Sequence, residues 1–189
     1  GNDLFVAMGQ GDGTFAEPAG TFTVSDVEHL LVGDFDGDYL ADVALFVQGD
    51  DSPFGGTYEA EVRVFPGQGD GTLGASLDSP LGADLVTLET AVTADLDEDG
   101  ATDLIVSFSD SDETAVLLGT GDGTFGTATT YVGAARSPIT VGDLNGDQVL
   151  DLVVQSLNPG FLRIRHGVGD GTFDGTQTIT TGALDQFWV

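Results

Sequence analysis

Short apolar runs separated by polar, glycine-rich loops make up the chain, and none carries the period of about 3.6 residues that marks an amphipathic helix. Runs of roughly four to eight apolar residues bounded by Gly, Asp and Thr are typical of β-strands. The runs recur in one order: a short strand, an acidic loop, an apolar strand, a third strand, a glycine-rich turn and a weaker strand rich in Thr and Ala. The pattern therefore predicts an all-β chain with helix content near zero.

The predicted strands fall into four groups according to the loop or turn that they adjoin. The short strands before the acidic loops are 29–32, 91–94 and 139–141, and the apolar strands after those loops are 43–47, 104–108 and 152–154. The strands before the glycine-rich turns are 4–8, 61–65, 115–118 and 161–165, and the weaker strands after the turns include 21–24, 127–132 and 176–180. Four strands in about 50 residues is the content of one β-propeller blade.

We therefore expect a single repeat domain, 1–189, built from antiparallel four-stranded propeller blades. About three and a half blades are present. They are a half blade at 1–26, whole blades at 27–84, 85–134 and 135–182, and the first strand of a further blade at 183–189.

The glycine-rich turn Gly-x-Gly-Asp-Gly-Thr-Phe occurs four times, once with Leu in place of Phe. Its copies are Gly9–Phe15, Gly67–Leu73, Gly119–Phe125 and Gly167–Phe173. Glycines at such positions supply the positive φ angles that tight hairpin turns require. We interpret the copies as structural turns and expect Phe15, Phe125 and Phe173 to pack between sheets.

Each acidic loop places oxygen-bearing side chains at its positions 1, 3, 5 and 9. These residues are Asp34, Asp36, Asp38 and Asp42 in loop one, Asp95, Asp97, Asp99 and Asp103 in loop two, and Asp143, Asn145, Asp147 and Asp151 in loop three. Ca²⁺ binds about six to eight oxygens, and donors on alternate residues can wrap around one ion. The backbone carbonyl at position 7 (Leu40, Ala101 or Val149) would complete the shell. Because neighbouring carboxylates repel each other without a cation, the sequence predicts three calcium sites.

Two other interpretations of the acidic loops fit less well. An EF-hand needs a bidentate Glu at position 12 and flanking helices, but that position holds Leu45, Val106 and Val154 and the flanks are strand-like. A series of Asx-turns that only solvates a sharp bend does not need carboxylates at four fixed positions in three copies.

The net charge excludes several classes of partner. Four basic residues against 32 acidic ones give a formal charge of −28, which repels nucleic acids and anionic membranes. No apolar run approaches the roughly 18 residues of a membrane-spanning helix, so no membrane span is expected. Cysteine is absent, which excludes disulfides, thiolate metal sites and cysteine nucleophiles.

The loops and turns together resemble the FG-GAP/VCBS repeats of integrin α-subunit propellers and of many secreted bacterial proteins. The matching segments are Gly33-Asp-Phe-Asp-Gly-Asp, Gly142-Asp-Leu-Asn-Gly-Asp and the recurring Gly-Asp-Gly-Thr-Phe. The resemblance implies a calcium-binding, non-enzymatic scaffold at the cell surface or outside the cell, used in adhesion or protein recognition. It also implies a seven-bladed propeller, so we expect the chain to be part of a larger propeller or an assembly. The terminal strands Leu4–Met8 and Phe187–Val189 would then pair with flanking repeats or another chain.

The loops depart from that family at positions 4 and 6, where both residues are often glycine. Each loop here has glycine at only one of the two positions. If position 6 needs a positive φ, Tyr39 and Gln148 would each cost about 1 kcal/mol. Asn145 also removes one charge from loop three. We therefore expect loop two to bind calcium best.

Three further functions remain as alternatives. A lectin would need exposed aromatic side chains, for which the candidates are Tyr39, Tyr58, Tyr131 and Trp188. A structural subunit of an extracellular filament or surface layer would use open strand edges to polymerise. An enzyme is disfavoured, since the only imidazoles, His29 and His166, share no motif.

Overall fold

The computed structural model describes residues 2–24, 27–48, 60–82, 87–109, 111, 113–132, 138–155 and 161–180. Throughout these residues the regular secondary structure is β-strand, without a helix, as the sequence predicts. The strands are β1 Asn2–Phe5, β2 Thr21–Val24, β3 Val27–Gly33, β4 Asp42–Gln48, β5 Ala60–Phe65, β6 Leu77–Gly82 and β7 Leu88–Ala94. The others are β8 Asp103–Phe108, β9 Glu113–Leu117, β10 Thr129–Val132, β11 Ile139–Gly142, β12 Asp151–Gln155, β13 Phe161–Gly167 and β14 Phe173–Thr180.

Consecutive strands form antiparallel meanders, which confirms the predicted blade architecture. Three sheets have four strands each, β3–β6, β7–β10 and β11–β14, and one sheet has the two strands β1 and β2. In every four-stranded sheet an acidic loop joins the first strand to the second, and a glycine-rich turn joins the third to the fourth. The loops with candidate ligands therefore all stand at the same place in their blades.

The second strand of each four-stranded sheet is its most buried element because it is hydrogen-bonded on both edges and apolar on both faces. Every residue of β8 is buried, and the side chains of β4 from Val43 to Val47 are buried as well. Continuous apolar runs are typical of strands covered on both faces. Each of these strands begins with the aspartate at position 9 of the preceding loop, so that carboxylate enters the protein interior.

The chain divides into two compact units. Unit one comprises Gly1–Val86 with Gly119–Phe125, and unit two comprises Thr87–Leu118 with Gly126–Val189. In unit one, Val43, Leu45 and Val47 of β4 pack with Val24 of β2. In unit two, Ile105 and Val116 form one core with residues of the next sheet: Ile139, Leu152, Val154 and Phe173. Each unit thus has its own apolar core between two sheets.

Strand β6 is the fourth strand expected in the blade 27–84, but the sequence did not define its bounds. It contains Pro80, which lacks an N–H, and its last residue is Gly82. Strand β6 lies at the edge of its sheet, next to β5 only, and edge strands tolerate proline. The strand predicted at 4–8 corresponds to β1, which begins at Asn2 and already ends at Phe5. The predicted terminal strand 183–189, with Phe187–Val189, lies outside the described residues.

The glycine-rich turns adopt one structure in all four copies. The third and fifth residues of each turn are glycines with positive φ, such as Gly11 at 81° and Gly13 at 90°, as the hairpin interpretation requires. The aspartate accepts hydrogen bonds from the following threonine, as where Thr14 N and Oγ1 both donate to Asp12 Oδ1 at 2.9 and 2.6 Å. These bonds, from the threonine side chain and then from its amide, lower the pKa of Asp12 below its ordinary value.

Two of the three turn phenylalanines pack as expected and one does not. Phe125 meets Phe35 of unit one edge-to-face, with ring centroids 6.0 Å apart. Phe173 meets Tyr131 in unit two at 5.8 Å, and its amide donates to the Tyr131 hydroxyl at 3.0 Å. Phe15 is 72% exposed, so the expectation that it packs between sheets is wrong.

Candidate metal sites in the acidic loops

The three acidic loops share one pattern of hydrogen bonds between carboxylates and backbone amides. In loop one, Asp34 accepts from the amides of Gly37 and Tyr39 at 2.8 and 2.9 Å. Asp36 Oδ1 accepts from the amide of Asp38 at 3.1 Å, and Asp38 Oδ1 accepts from the amide of position 7 at 2.7 Å. The aspartate at position 1 therefore binds amides across the loop, at positions 4 and 6. The aspartates at positions 3 and 5 each bind the amide of the residue two positions further along the chain. These bonds turn the carboxylates towards the inside of the loop.

Positions 4 and 6 both have positive φ in every loop, and each loop has one residue there that is not glycine. The exceptions are Tyr39 at 67°, Glu98 at 59° and Gln148 at 74°. Their glycine counterparts are Gly37, Gly100 and Gly146. From the sequence, this strain is expected at Tyr39 and Gln148, in loops one and three only. Since Glu98 carries it in loop two, backbone strain gives loop two no advantage.

The aspartate at position 9 has a structural role in addition to that of a predicted ligand. Asp42, Asp103 and Asp151 are 0% exposed. In loop one, Asp42 Oδ2 accepts from the amide of Phe35 at 2.8 Å, and Oδ1 accepts from the amide of Gly67 at 2.8 Å. This carboxylate therefore joins the start of the acidic loop to the start of the glycine-rich turn. The only signal in the sequence is that position 9 is also the first residue of a wholly apolar strand.

The same arrangement recurs in the other two loops. Asp103 Oδ2 accepts from the amide of Leu96 at 2.7 Å. Asp151 accepts from the amides of Leu144 and Gly167 at 3.0 and 3.1 Å, and His166 Nδ1 lies 3.3 Å from its Oδ1. Burial raises the pKa of Asp151, but these hydrogen bonds and the imidazole together outweigh burial and lower it.

The structure gathers three carboxylates in each of the first two loops. Oxygens of Asp34, Asp36 and Asp42 lie within 4.8 Å of one another, and so do those of Asp95, Asp97 and Asp99. Burial, followed by the neighbouring carboxylates, raises the pKa of Asp36, although the amide of Asp38 opposes this shift. Converging carboxylate oxygens repel one another when no cation lies between them. Loops one and two thus offer the donor set of a hard divalent ion.

Not every predicted ligand joins a cluster. Asp38 and Asp103 belong to loops with a cluster but lie outside the group of three. Loop three does not form such a group of acidic side chains in the described part of the chain. There Asn145 Nδ2 donates to Asp147 Oδ2 at 2.8 Å, whereas Asp143 binds the amides of Gly146 and Gln148 as Asp34 does in loop one. The position 7 residues Leu40, Ala101 and Val149 close their loops through their amides.

Of the other side chains considered for catalysis or sugar binding, His29 and Tyr131 have structural partners and Tyr39 is exposed. His29 meets Phe46 edge-to-face at 6.2 Å. Arg165 Nη2 donates to the carbonyl of Val132 at 2.7 Å, and its guanidinium lies 5.2 Å from the centroid of the Tyr131 ring. Tyr39, by contrast, is 93% exposed. The other two aromatic candidates, Tyr58 and Trp188, lie outside the described residues.

Antiparallel four-stranded sheets, each with an acidic loop between its first two strands, define an all-β protein of propeller blades. Residues 95–154 match the model of the FG-GAP-like repeat, a segment that runs from loop two to the second strand of the next sheet. This segment is therefore similar to an FG-GAP-like repeat, as the loops and turns of the sequence indicated. A search of curated proteins finds no match.

One solved structure of similar fold covers nearly the whole chain. The chain is similar to an Agrocybe aegerita lectin whose structure was described for specific recognition of non-reducing terminal N-acetylglucosamine, with 22% identity and a TM-score of 0.60. The match covers 94% of this chain and 46% of the lectin chain, so the protein spans about half the length of that relative. A Photorhabdus luminescens Tc holotoxin pore matches with 13% identity and a TM-score of 0.40, over 94% of this chain and 11% of the other. No helix in the described residues has the length and apolar character needed to cross a membrane.

Proposed function

We propose that the protein is a calcium-binding recognition scaffold, in which ions held by the acidic loops stiffen propeller blades that bind a partner outside the cell. The observation that carries this proposal is the convergence of three carboxylates in loop one and three in loop two. The raised pKa of Asp36 supports it, because a carboxylate that resists ionisation in the free protein gains most from a cation.

The chemistry of the donors fits calcium better than other common metals. The loops offer carboxylate, amide and backbone oxygens, without cysteine anywhere in the chain, and Ca²⁺ prefers such oxygen sets with irregular geometry. Asp34, Asp36, Asp38, Asp42 and the carbonyl of Leu40 would hold the ion in loop one. Asp95, Asp97, Asp99, Asp103 and the carbonyl of Ala101 would do so in loop two. In loop three, Asp143, Asn145, Asp147, Asp151 and the carbonyl of Val149 form the corresponding set.

An ion in each loop would act on stability and not on chemistry. Each loop joins the first strand of a blade to the second, so a bound ion removes freedom from the segment between them. Ligands that bind only the folded state stabilise it by mass action. The acidic composition and the absence of a shared imidazole motif support a binding role over an enzymatic one. Exposed loop sites of this kind with Kd of about 10⁻⁴–10⁻³ M fill only where calcium is millimolar, which supports a location outside the cell or at its surface.

Calcium titration and thermal unfolding test the proposal directly. We expect isothermal titration to give three calcium ions per chain and chelation to lower the Tm. The variant Asp97→Asn should reduce the stoichiometry to two, whereas Asp174→Asn, the same change at an exposed residue of β14, should leave it at three. A Tm that is identical in calcium and in chelator would overturn the metal assignment.

Glycan recognition is a second candidate because the lectin of similar fold recognises N-acetylglucosamine. Tyr39 supports it, since its ring stands exposed at the tip of loop one and aromatic faces stack on sugars. A glycan array probed with the protein and with Tyr39→Ala separates the candidates. Binding that Tyr39→Ala abolishes would favour the lectin, and an array without signal would favour protein recognition.

A further inference from the structure

Two of the chain's four basic residues lie on one face of β13, in unit two. Arg163 and Arg165 alternate along this strand, and their cross-strand partners on β12 are Val154 and Leu152. Directly opposite residues of an antiparallel pair point to the same side of the sheet. Both β12 residues belong to the core that sheet β11–β14 shares with sheet β7–β10, and each of these sheets has all four strands. The two arginines therefore point into the space between the two sheets of unit two.

Arg165 is held in place by the sheet opposite. Its Nη2 donates to the carbonyl of Val132 at 2.7 Å, and its guanidinium lies 5.2 Å from the centroid of the Tyr131 ring. The Tyr131 hydroxyl is itself fixed, because it accepts from the amide of Phe173 at 3.0 Å. The Nε atom of Arg165 is buried and has no hydrogen-bond partner among the residues that the structure describes. A buried donor without an acceptor costs free energy, so this guanidinium gains when a bound molecule supplies one.

Neither arginine is neutralised by a carboxylate in the described part of the chain. The ion pairs found there join Arg63 to Glu61 and His166 to Asp151. The residues of β9, β10 and β14 that face the arginines are hydroxyl-bearing or apolar: Thr114, Val116, Thr129, Tyr131, Thr178 and Thr180. In a chain with 32 acidic residues against four basic ones, two neighbouring arginines without an acidic partner are an exception.

Unit one shows how the same position of a blade is neutralised. Arg63 stands in β5 where Arg163 stands in β13, because both are the cross-strand partners of the third residue after the position 9 aspartate. Arg63 Nε donates to Glu61 Oε1 at 2.6 Å, and this glutamate comes two residues earlier in the same strand. The corresponding residue of β13 is Phe161. The internal partner that serves this position in unit one is therefore replaced by an apolar residue in unit two.

A carboxylate supplied by another molecule fits such a pair of guanidinium groups. Planar guanidinium groups bind carboxylates through paired, charge-assisted hydrogen bonds. The formal charge of −28 repels a polyanion and attracts a basic molecule. The ligand that satisfies both conditions is a single acidic side chain on an otherwise basic partner. The field of the whole chain would bring this partner in, and the arginines would select the position of its carboxylate.

We propose that Arg163 and Arg165 form a binding site for an Asp or Glu side chain of a basic partner protein. This inference describes the partner of the proposed recognition scaffold and rests on the recognition part of that function. It does not require an ion in the acidic loops. Arginine and tyrosine together are typical of the residues that contribute most to the affinity of protein interfaces.

Two capped peptides distinguish carboxylate recognition from attraction by charge. The probe is Lys-Gly-Glu-Gly-Lys, and the control is Lys-Gly-Gln-Gly-Lys, which is more positive because it lacks the carboxylate. Both are measured by fluorescence anisotropy on the full chain in millimolar calcium. Charge alone favours the control, so tighter binding of the probe reports its carboxylate. We expect the probe to bind at least about fivefold more tightly.

Three protein variants locate the site. Arg163→Gln should remove the preference for the probe, whereas Arg63→Gln, the same change at the same position of a blade in unit one, should leave it intact. Arg165→Lys keeps the charge but not the planar group, so it should weaken binding of the probe at least about threefold and leave the control peptide unchanged. Arg163 is partly exposed, so Arg163→Gln should fold with the parent's Tm to within a few degrees.

Four outcomes would overturn the proposal. Equal or tighter binding of the control peptide would show attraction by charge alone. A preference for the probe that survives in both Arg163→Gln and Arg165→Lys would place the carboxylate site elsewhere. A preference that appears only in Asp185→Asn would assign the arginines to a carboxylate of the chain itself. A glycan with one carboxylated sugar that binds through Arg163, where the probe does not bind, would assign the site to glycans.

The metal sites are tested separately. Calcium stoichiometry is measured without peptide, and the peptide preference is measured again after chelation. Three bound ions without a preference for the probe would leave the calcium scaffold standing and remove this site. A preference for the probe without calcium binding would do the reverse, so the two proposals can fail independently.

Discussion

The aspartate at position 9 of each acidic loop is a buried acceptor of backbone hydrogen bonds as well as a candidate ligand. Asp42 receives one amide on each oxygen, from Phe35 and from Gly67. A carboxylate oxygen has further lone pairs, so these bonds leave room for an ion. The two roles differ in what they require: the structural one needs only the folded chain, and the ligand role needs calcium.

Replacing Asp42 by asparagine should therefore destabilise the protein with or without calcium. The new NH₂ group would face a backbone N–H, which leaves a buried donor without an acceptor at a cost of about 2–3 kcal/mol. Denaturant unfolding in chelator measures this cost, and Asp78→Asn, on the exposed side of β6, serves as the matched control. A loss seen only in calcium would mean that Asp42 acts solely as a ligand.

Backbone strain at positions 4 and 6 is the second residue-scale feature. Gln148 holds a φ of 74° with its amide bonded to Asp143. We expect Gln148→Gly to raise the free energy of unfolding by about 1 kcal/mol, because glycine adopts this conformation without strain. Gln177→Gly, in the exposed strand β14, should lower it instead. Unfolding midpoints that fall in both variants would contradict the strain argument.

Contacts within one loop could be predicted from the sequence, whereas contacts between residues far apart along the chain could not. The clusters of Asp34 with Asp36, and of Asp95 with Asp97, follow from spacing along a single loop. The partner of Asp42 on the turn, Gly67, is 25 residues away along the chain, and nothing local to either residue indicates the bond. Likewise, the positive φ of Glu98 follows from the backbone path that all three loops share and not from its side chain.

In two of the glycine-rich turns, the first glycine lies close to the backbone at the end of the acidic loop. A Cβ at Gly67 would lie 2.1 Å from the carbonyl oxygen of Ala41. A Cβ at Gly167 would lie 2.3 Å from the carbonyl oxygen of Leu150. Gly9 stands at the same position of its turn, but a Cβ there would meet nothing within 4 Å. The need for glycine therefore depends on whether an acidic loop lies beside the turn.

Gly9 therefore serves as the control for a substitution at Gly67. Gly67→Ala should lower the free energy of unfolding by about 3 kcal/mol or more, since backbone atoms must move apart to admit the methyl group. Gly9→Ala should change it by less than about 1 kcal/mol. Thermal and denaturant unfolding of both variants measure the difference. Similar losses would show that the turn needs glycine for its own conformation.

At the level of strands, sequence located the elements well where apolar runs are continuous and less well at sheet edges. The second strands β4, β8 and β12 were predicted to within a residue or two, because both faces are apolar. The bounds of β6 could not be read from the sequence, because an edge strand needs neither a continuous apolar run nor every N–H, and β6 contains Pro80. Edge strands take their conformation from their neighbour, which local sequence does not show.

The charge of the whole molecule exceeds what the acidic loops explain. Three calcium ions would supply +6 against a formal charge of −28, which leaves −22. The remaining carboxylates repel one another across the surface and oppose the compact state. Their repulsion is long-range and screened by salt, whereas the buried aspartates are screened much less.

Sodium chloride should therefore stabilise the protein even when calcium is chelated. Between about 0.1 and 1 M salt the Debye length falls from about 10 Å to about 3 Å, so surface repulsion is largely removed. We expect the Tm in chelator to rise by several degrees, as measured by calorimetry. Glucose at equal osmolality is the control for effects that are not ionic. A Tm that is independent of salt would show that the surface charge does not limit stability.

The turn Gly119–Phe125 belongs to unit one, although the chain on both sides of it belongs to unit two. Its Gly123 amide donates to the carbonyl of Phe35, and its Phe125 amide donates to Ser79 Oγ, both at 3.0 Å. The repeats in the sequence therefore do not begin and end where the compact units do. A chain cut after residue 86 would keep sheet β3–β6 but lose the turn that bonds to Phe35 and Ser79 of unit one.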